Sequence, residues 1–529
     1  MGKLAKKEEN IMNCSRSFYL HRTKRNAALF EGLLKYAKIS RYFYNQMLYY
    51  CNMYYEVYET LPSFETLNMK GMLNQPNGIE YKQLKWVSLT SNDVRYEIYQ
   101  KDHKTNKYKL DLNGKPKILK SFFPYNQYGN THIADSTLQM YYGVIASYFG
   151  ARKAFYKDKK KFSGMPMFPH YLKKDQFYYH FAKRRAQIRN NALYLKLEPI
   201  PFGVPIPINQ LPEELYNATE IKQVRFYVRT KDCIKIEMIY TKKKQEEVQQ
   251  DPQRVLSIDL GVSNLAACIT NDPSLPPFLL CGKQVKSINH YYNKTRAKLQ
   301  RSLSFQVKYD HIIREKKGKM VIKKVEPKYM HYTGKSECIK KLGLKRELQI
   351  HNIFHTYTSY LIAFCKKNNI TEIMVGENKG WKQKAKMGRF SNQKFISIPF
   401  DKFKFQLEYK CQLNGIRFTR IEESYTSKTD HLAYQPLREY GKKSTKEKKK
   451  KTEKVYYTIK NYGSRKYRGK YISSIHKILN ADINGAMGIM RKKYGDQVIP
   501  VFLNNRFLCN PKRVRYMDLL KKEVQNKHL

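Results

Sequence analysis

Acidic residues are scarce in this chain. Its 529 residues hold 44 aspartates and glutamates against 101 lysines and arginines, a formal net charge of +57. Such a balance repels itself until a polyanion neutralises it, and nucleic acid is the obvious partner. The surplus matches on the order of fifty phosphates, more than a short DNA operator offers one protein. A long folded RNA, or RNA together with DNA, fits better. Cysteine is sparse as well: nine residues, with no Cys-x-x-Cys pair anywhere. That excludes a disulfide framework and zinc-site spacing, and it reads as a reduced, intracellular chain. No run of 18 apolar residues occurs, so no transmembrane helix is expected. The opening residues lack the apolar stretch of a secretory signal, and Lys6 breaks the myristoylation pattern.

Aromatics, by contrast, are plentiful: 44 tyrosines and 26 phenylalanines, available both to fill cores and to stack on bases. The length suits roughly three domains. Residues 1–250 read as mixed and strongly basic. A strand is expected near 14–20, helices over 27–57 and 136–158, and strands over 177–245. The polar stretch 101–117 reads as an exposed hairpin or insertion, and Pro166, Pro169 and Gly164 mark a loop. A linker at 242–250 sets the domain boundary.

After 253 the rhythm is α/β. Short apolar strands are expected at 255–258, 265–269, 278–280, 373–375 and 416–421. Helices are expected over 284–306 and 345–367, after Pro399, and from an Asn480 cap to about Lys493. Three consecutive strands, then helix, strand, helix, strand and helix is the order of an RNase H-like layer fold. The lysine-rich tract 442–454 reads as a mobile loop.

Three carboxylates stand at element ends in this scheme. Asp259 ends the first strand in Ser257-Ile258-Asp259-Leu260-Gly261, Glu377 follows the fourth in Val375-Gly376-Glu377-Asn378, and Asp482 lies in the first turn of the last helix. Gly485, Ala486 and Gly488 would let that helix approach the sheet. Phosphodiester hydrolysis suits such a set, because hard Mg²⁺ ions take oxygen ligands and two of them can activate water and stabilise the leaving oxygen. Ile258-Asp259-Leu260-Gly261 also resembles a phosphate loop of actin-like ATPases. That fold requires a second Asp-x-Gly loop and a glycine-rich adenosine loop, and neither is present.

In their order, these motifs resemble TnpB, the RNA-guided RuvC endonuclease of bacterial insertion sequences, and the compact type V CRISPR effectors derived from it. Gly380-Trp381-Lys382-Gln383, Asn392-Gln393-Lys394-Phe395 and Glu423-Ser424-Tyr425-Thr426-Ser427-Lys428 carry the likeness further, as does the loop 162–171. The resemblance implies an α/β multidomain protein. Residues 1–250 would form a β-barrel wedge domain with a helical recognition insert at about 27–175. Residues 251–423 and 479–500 would form the RuvC nuclease domain, 424–478 a target-nucleic-acid-binding insertion, and 501–529 a C-terminal tail. It implies catalytic, metal-binding Asp259, Glu377 and Asp482, with Mg²⁺ as cofactor and Mn²⁺ as a substitute. The partners implied are a structured guide RNA and double-stranded target DNA, in the bacterial cytoplasm at the nucleoid, with no membrane and no need for a second copy.

Nucleic-acid contacts are expected from Trp381, Lys382, Lys384, Arg389 and Lys394, and from a basic hairpin around Arg465, Lys466, Arg468 and Lys470. For the Trp381 segment, a solvated loop with the indole tucked on the sheet is an equal reading. Relatives carry a four-cysteine zinc ribbon between the second and third motifs. Here 424–480 has no cysteine, and Thr426-Ser427-Lys428-Thr429-Asp430-His431 stands where the first Cys-x-x-Cys would come. No zinc is expected, since two histidines alone cannot complete a tetrahedral site. Two other functions stay open: a guide-loaded repressor that binds without cutting, and a conventional DNA transposase.

Overall fold

The computed structural model describes residues 11–58, 84–90, 93–99, 110, 114, 118–122, 131–159, 162–173, 178–182, 186–189, 192–195, 206–207, 221–243, 254–304, 312–316, 319–323, 336–377, 396–437, 462–467 and 469–527. The chain divides into two compact units, Met12–Lys242 and, with the first residues, Lys243–Leu529.

The first unit contains β1 (Ile11–His21), the helix α1 (Ala27–Tyr58), β2 (Leu84–Thr90), β3 (Asp93–Tyr99), β4 (Ile118–Phe122) and α2 (Thr131–Lys157). Then come β5 (Tyr178–Ala182), β6 (Ala186–Arg189), β7 (Ala192–Leu195), β8 (Ile206–Pro207), β9 (Ile221–Thr230) and β10 (Cys233–Lys243). Four strands form one sheet in the order β1-β10-β9-β5, and β2-β3-β4 and β6-β7-β8 form two small ones. Helices α1 and α2 pack through buried aromatics: Tyr44 meets the Tyr141 ring edge-on at 5.7 Å, beside a Ser40–Thr137 hydroxyl pair at 2.8 Å. Most of the expected hairpin at 101–117 lies outside the described residues, as does the lysine tract 442–454.

The second unit is layered α/β. Its elements are β11 (Val255–Leu260), β12 (Asn264–Thr270), β13 (Phe278–Cys281), α3 (Lys283–Ser304), the hairpin β14 (Ile312–Lys316) and β15 (Lys319–Lys323), and α4 (Glu337–Lys367). They continue as β16 (Glu372–Glu377), α5 (Phe400–Leu413), β17 (Arg417–Glu422), β18 (Ser464–Tyr467), β19 (Lys470–Ile472), β20 (Ile478–Asn480) and α6 (Ala481–Tyr494). Then follow α7 (Ile499–Asn504), β21 (Lys512–Val514) and α8 (Tyr516–Lys527). The main sheet runs β17-β16-β11-β12-β13-β21: an antiparallel meander β11-β12-β13, with β16 and β17 added in parallel on the other side of β11. The three strands β11-β12-β13 and the later succession β16, α5, β17 and α6 follow the order read from the sequence, with β14-β15 and β18-β20 inserted.

Strand alternation sorts the side chains of this sheet onto two faces. Leu256, Ile258 and Leu260, with Ile373 and Val375, enter the core beneath α4 and α5. Val255, Ala267, Ile269 and Met374 meet α6. Helix α6 can lie close because small residues face the sheet: the Ser257 hydroxyl donates to the Ala486 carbonyl at 2.7 Å.

One expectation is corrected here. Residues 501–529 do not trail off as a tail. β21 pairs in parallel with β13 as the sixth strand, Val514 is buried, and Tyr516 and Leu519 pack on the core. The physical reason is that β13 would otherwise leave an apolar strand at the sheet edge.

Candidate active site

Asp259 is the penultimate residue of β11, and it falls on the α6 face because Val255 and Ser257 do. Its carboxylate lies against the backbone of Gly485; a β-carbon there would overlap Asp259 Oδ2. Asp482 enters from α6. Asn480 caps that helix by accepting from the amides of Asp482 and Ile483 at 3.0 and 3.3 Å. The helix N-terminus favours a negative side chain in its first turn. Asn264, opening β12, donates to Asp482 Oδ2 at 2.7 Å. Across the hairpin β18-β19, Arg465 Nη2 stands 3.9 Å from Asp482 Oδ1.

Glu377 ends β16, one residue after Gly376, and alternation puts it on the opposite face. There its Oε1 accepts from Lys404 of α5 and from Arg420 of β17, each at 3.1 Å. The structure thus brings Asp259 of β11 near Asp482 of α6 and ties Glu377 to Lys404 and Arg420. The acid that joins the α6 face from this side is Glu423, which directly follows β17 after Thr419 and Ile421. It is only 8% exposed. Its Oε2 occupies the space a side chain at Gly376 would fill. Sequence reasoning noted the Glu423 segment but assigned this carboxylate no role. Two available signals were its position at a strand end and the glycine facing it.

The electrostatics follow the same division. Burial raises the Asp259 carboxyl well above its ordinary range, and the neighbouring Glu423 and Asp482 charges add to this, while Arg465 opposes it. Burial likewise raises Glu423 to about 7, with Lys404 and Lys492 pulling it back and Glu422 and Glu377 pushing it further. For Glu377, burial works against the charge, but the bond to Lys404 and the charges of Lys404 and Arg420 outweigh it and hold the carboxyl below its usual range.

Among the described residues no three His, Cys, Asp or Glu side chains stand close enough to share one ion. The donor chemistry nevertheless suits a hard divalent cation: oxygen-only ligands, Asp259 half-buried and Glu423 buried, whose mutual repulsion a cation would relieve. Among the described residues of 424–480, the two histidines are set in other roles. The His431 ring is fully buried and donates from Nε2 to the Thr426 carbonyl at 2.8 Å, and burial pushes it down to about 4. His476 sits in a tight turn at positive φ.

Of the expected nucleic-acid contacts, Trp381, Lys382, Lys384, Arg389 and Lys394 lie outside the described residues, as does Arg468. The basic hairpin expected around Arg465 and Lys470 is present as β18-β19. Among the described residues, no helix is long and apolar enough to cross a membrane.

Comparison with known proteins adds two family segments. Residues 238–382 match the family described as a probable transposase, OrfB_IS605, and residues 400–489 match the Cas12f1-like TNB domain. Among solved structures the chain is similar to Cas12f1 in its complex with sgRNA and target DNA, at 14% identity and a TM-score of 0.44 over 88% of this chain and 83% of that one. It is also similar to the mini RNA-guided endonuclease CRISPR-Cas_phi3, at 10% identity and a TM-score of 0.37 over 95% and 94%. No curated protein matches it. The first segment holds Asp259 and Glu377 and the second holds Glu423 and Asp482, and in these two segments the chain is similar to TnpB-type proteins and compact type V effectors.

Proposed function

We propose that this protein is an RNA-guided DNA endonuclease whose second unit is an RNase H-like, RuvC-type nuclease domain. The observation that carries the reading is the convergence of Asp259, Asp482 and Glu423 on the α6 face, inside two family-matched segments of a chain with a +57 charge. Asp259 and Asp482, with Glu423 and Glu377 at the neighbouring strand ends, are the residues that would hold Mg²⁺ or Mn²⁺. When bound, the metal would supply the charge that activates water and stabilises a leaving oxygen.

The protein's own part is positional. Gly485 and Gly376 leave room for the carboxylates, Asn264 orients Asp482, and Glu423 is buried beside them. Arg465 brings a cation to its edge, suited to a DNA phosphate. The sheet β1-β10-β9-β5 would serve as the wedge and α1 with α2 as the recognition insert. A structured guide RNA would neutralise much of the surplus charge, and pairing to it would read the target sequence.

The test is cleavage of a target plasmid by protein carrying its copurified RNA, with Asp259→Asn, Asp482→Asn, Glu423→Gln and Glu377→Gln made one at a time. Loss of cutting with retained target binding supports each residue's role. Target binding without any cutting by the wild type would favour the repressor reading.

A further inference from the structure

Asp430 is fully buried, and its carboxylate accepts five hydrogen bonds from three separate segments. Oδ1 accepts from the Ala433 amide at 3.3 Å and the Ser473 hydroxyl at 2.7 Å. Oδ2 accepts from the Gly463 amide at 2.9 Å, and from the Ser474 amide and hydroxyl at 2.7 and 3.0 Å. Its own amide donates to Gln435 Oε1 at 2.7 Å. A buried charge is tolerable only when its lone pairs are satisfied in this way, and charge-assisted bonds are the strong ones. Burial works against this charge, yet the bonds from Ser474, Ser473 and Gly463 outweigh it and hold the carboxyl below its usual range.

The three segments are drawn from both ends of the insertion. The first, 426–435, stands at the place of the expected first Cys-x-x-Cys. The second opens the hairpin β18-β19 at Gly463, and the third closes it at Ser473-Ser474. Gly463 has no room for a side chain, since a β-carbon would stand 2.7 Å from Asp430 Oδ2 and closer still to Ile472 O. The Tyr471 hydroxyl donates to the carbonyls of Gly463 and Lys428 at 2.8 and 3.3 Å, closing the same triangle. Two residues beyond Gly463 lies Arg465, which reaches Asp482.

The geometry points to Asp430 as the replacement for a structural zinc: one carboxylate cross-links the insertion and positions the hairpin that carries Arg465 to the acid cluster. The cross-link stands on its own bonds; only the catalytic use of Arg465 rests on the nuclease reading.

The experiment compares wild type, Asp430→Asn, Asp430→Ala and Ser473→Ala/Ser474→Ala by limited trypsin digestion with mass-spectrometric mapping, by melting, and by elemental analysis before and after a zinc chelator. Wild type should hold no stoichiometric zinc, and the chelator should change neither its digestion nor its melting. Both Asp430 variants should be cut by trypsin after Arg465 and Lys470 at least about tenfold faster, since losing the carboxylate leaves buried donors unpaired and lets the hairpin open. The double serine variant, which keeps the charge and removes two donors, should fall between. Arg465→Ala should keep wild-type protection at Lys470 while lowering DNA cleavage. About one zinc per chain with loosening on chelation, or unchanged protection in Asp430→Ala, would overturn the assignment. Because digestion and zinc content do not depend on cutting, a failed nuclease reading would show only in the cleavage arm.

Discussion

The Glu423 carboxylate lies over the backbone of Gly376, in the space a side chain there would take. A β-carbon at 376 would overlap Glu423 Oε2 and stand 2.8 Å from Ile489 Cδ1. Gly376→Ala should therefore displace Glu423 while leaving β16 paired. Cleavage should fall about tenfold or more, as a misplacement near 1 Å can cost, with guide-RNA binding unchanged. Single-turnover cleavage and RNA-binding assays on one preparation check this, and full-rate cutting would show that the Glu423 position is immaterial.

Asp259 is half-buried and faces like charges, so its ionised form costs stability when no metal is present. Asp259→Asn should raise the melting temperature of metal-free protein, by about 1–3 °C, while abolishing cleavage. Added Mg²⁺ should stabilise wild type and leave the variant unmoved. A variant less stable than wild type without metal would contradict the buried-charge account.

Protons should compete with the metal. Glu423 is raised to about 7 and Asp259 well above its ordinary range, so both carry protons through a window where free carboxylates would be ionised. Metal binding must release those protons. The Mg²⁺ concentration for half-maximal cleavage should fall as pH rises from 6 to 8. Titrations at three pH values measure it, and a midpoint independent of pH would speak against these acids as ligands.

The layer order was legible because β11, β12, β13 and β16 are built on short apolar runs and α6 opens on its own signal, the Asn480 cap. The sequence also shows Asp259, Glu377 and Asp482 at element ends. It does not show on which face each one falls. That depends on register: Glu377 pairs with Glu422 across β16 and β17, so the next residue, Glu423, turns to α6 while Glu377 turns to Lys404. Arg465 at Asp482 and the Asp430 bonds are likewise contacts between segments far apart in the chain, which no local pattern encodes. The sixth strand escaped notice because β21 is three residues long and mostly basic.

In the proposed site, Arg420 and Lys404 would compete with a metal for Glu377. Arg420→Gln removes one cation and frees part of that carboxylate. The half-saturating Mg²⁺ concentration should fall about two- to threefold, the scale of a partly exposed charge. A rise on the same titration would indicate that Arg420 supports the site rather than restraining Glu377.

The most direct test of RNA-guided cleavage uses the RNA that copurifies with the protein. That RNA is sequenced, and DNA complementary to its variable end is offered with Mg²⁺, with and without prior RNase treatment. The account predicts cutting of the complementary DNA alone, lost on RNase treatment and absent in Asp259→Asn. Cutting that survives RNA removal, or that ignores complementarity, would contradict it.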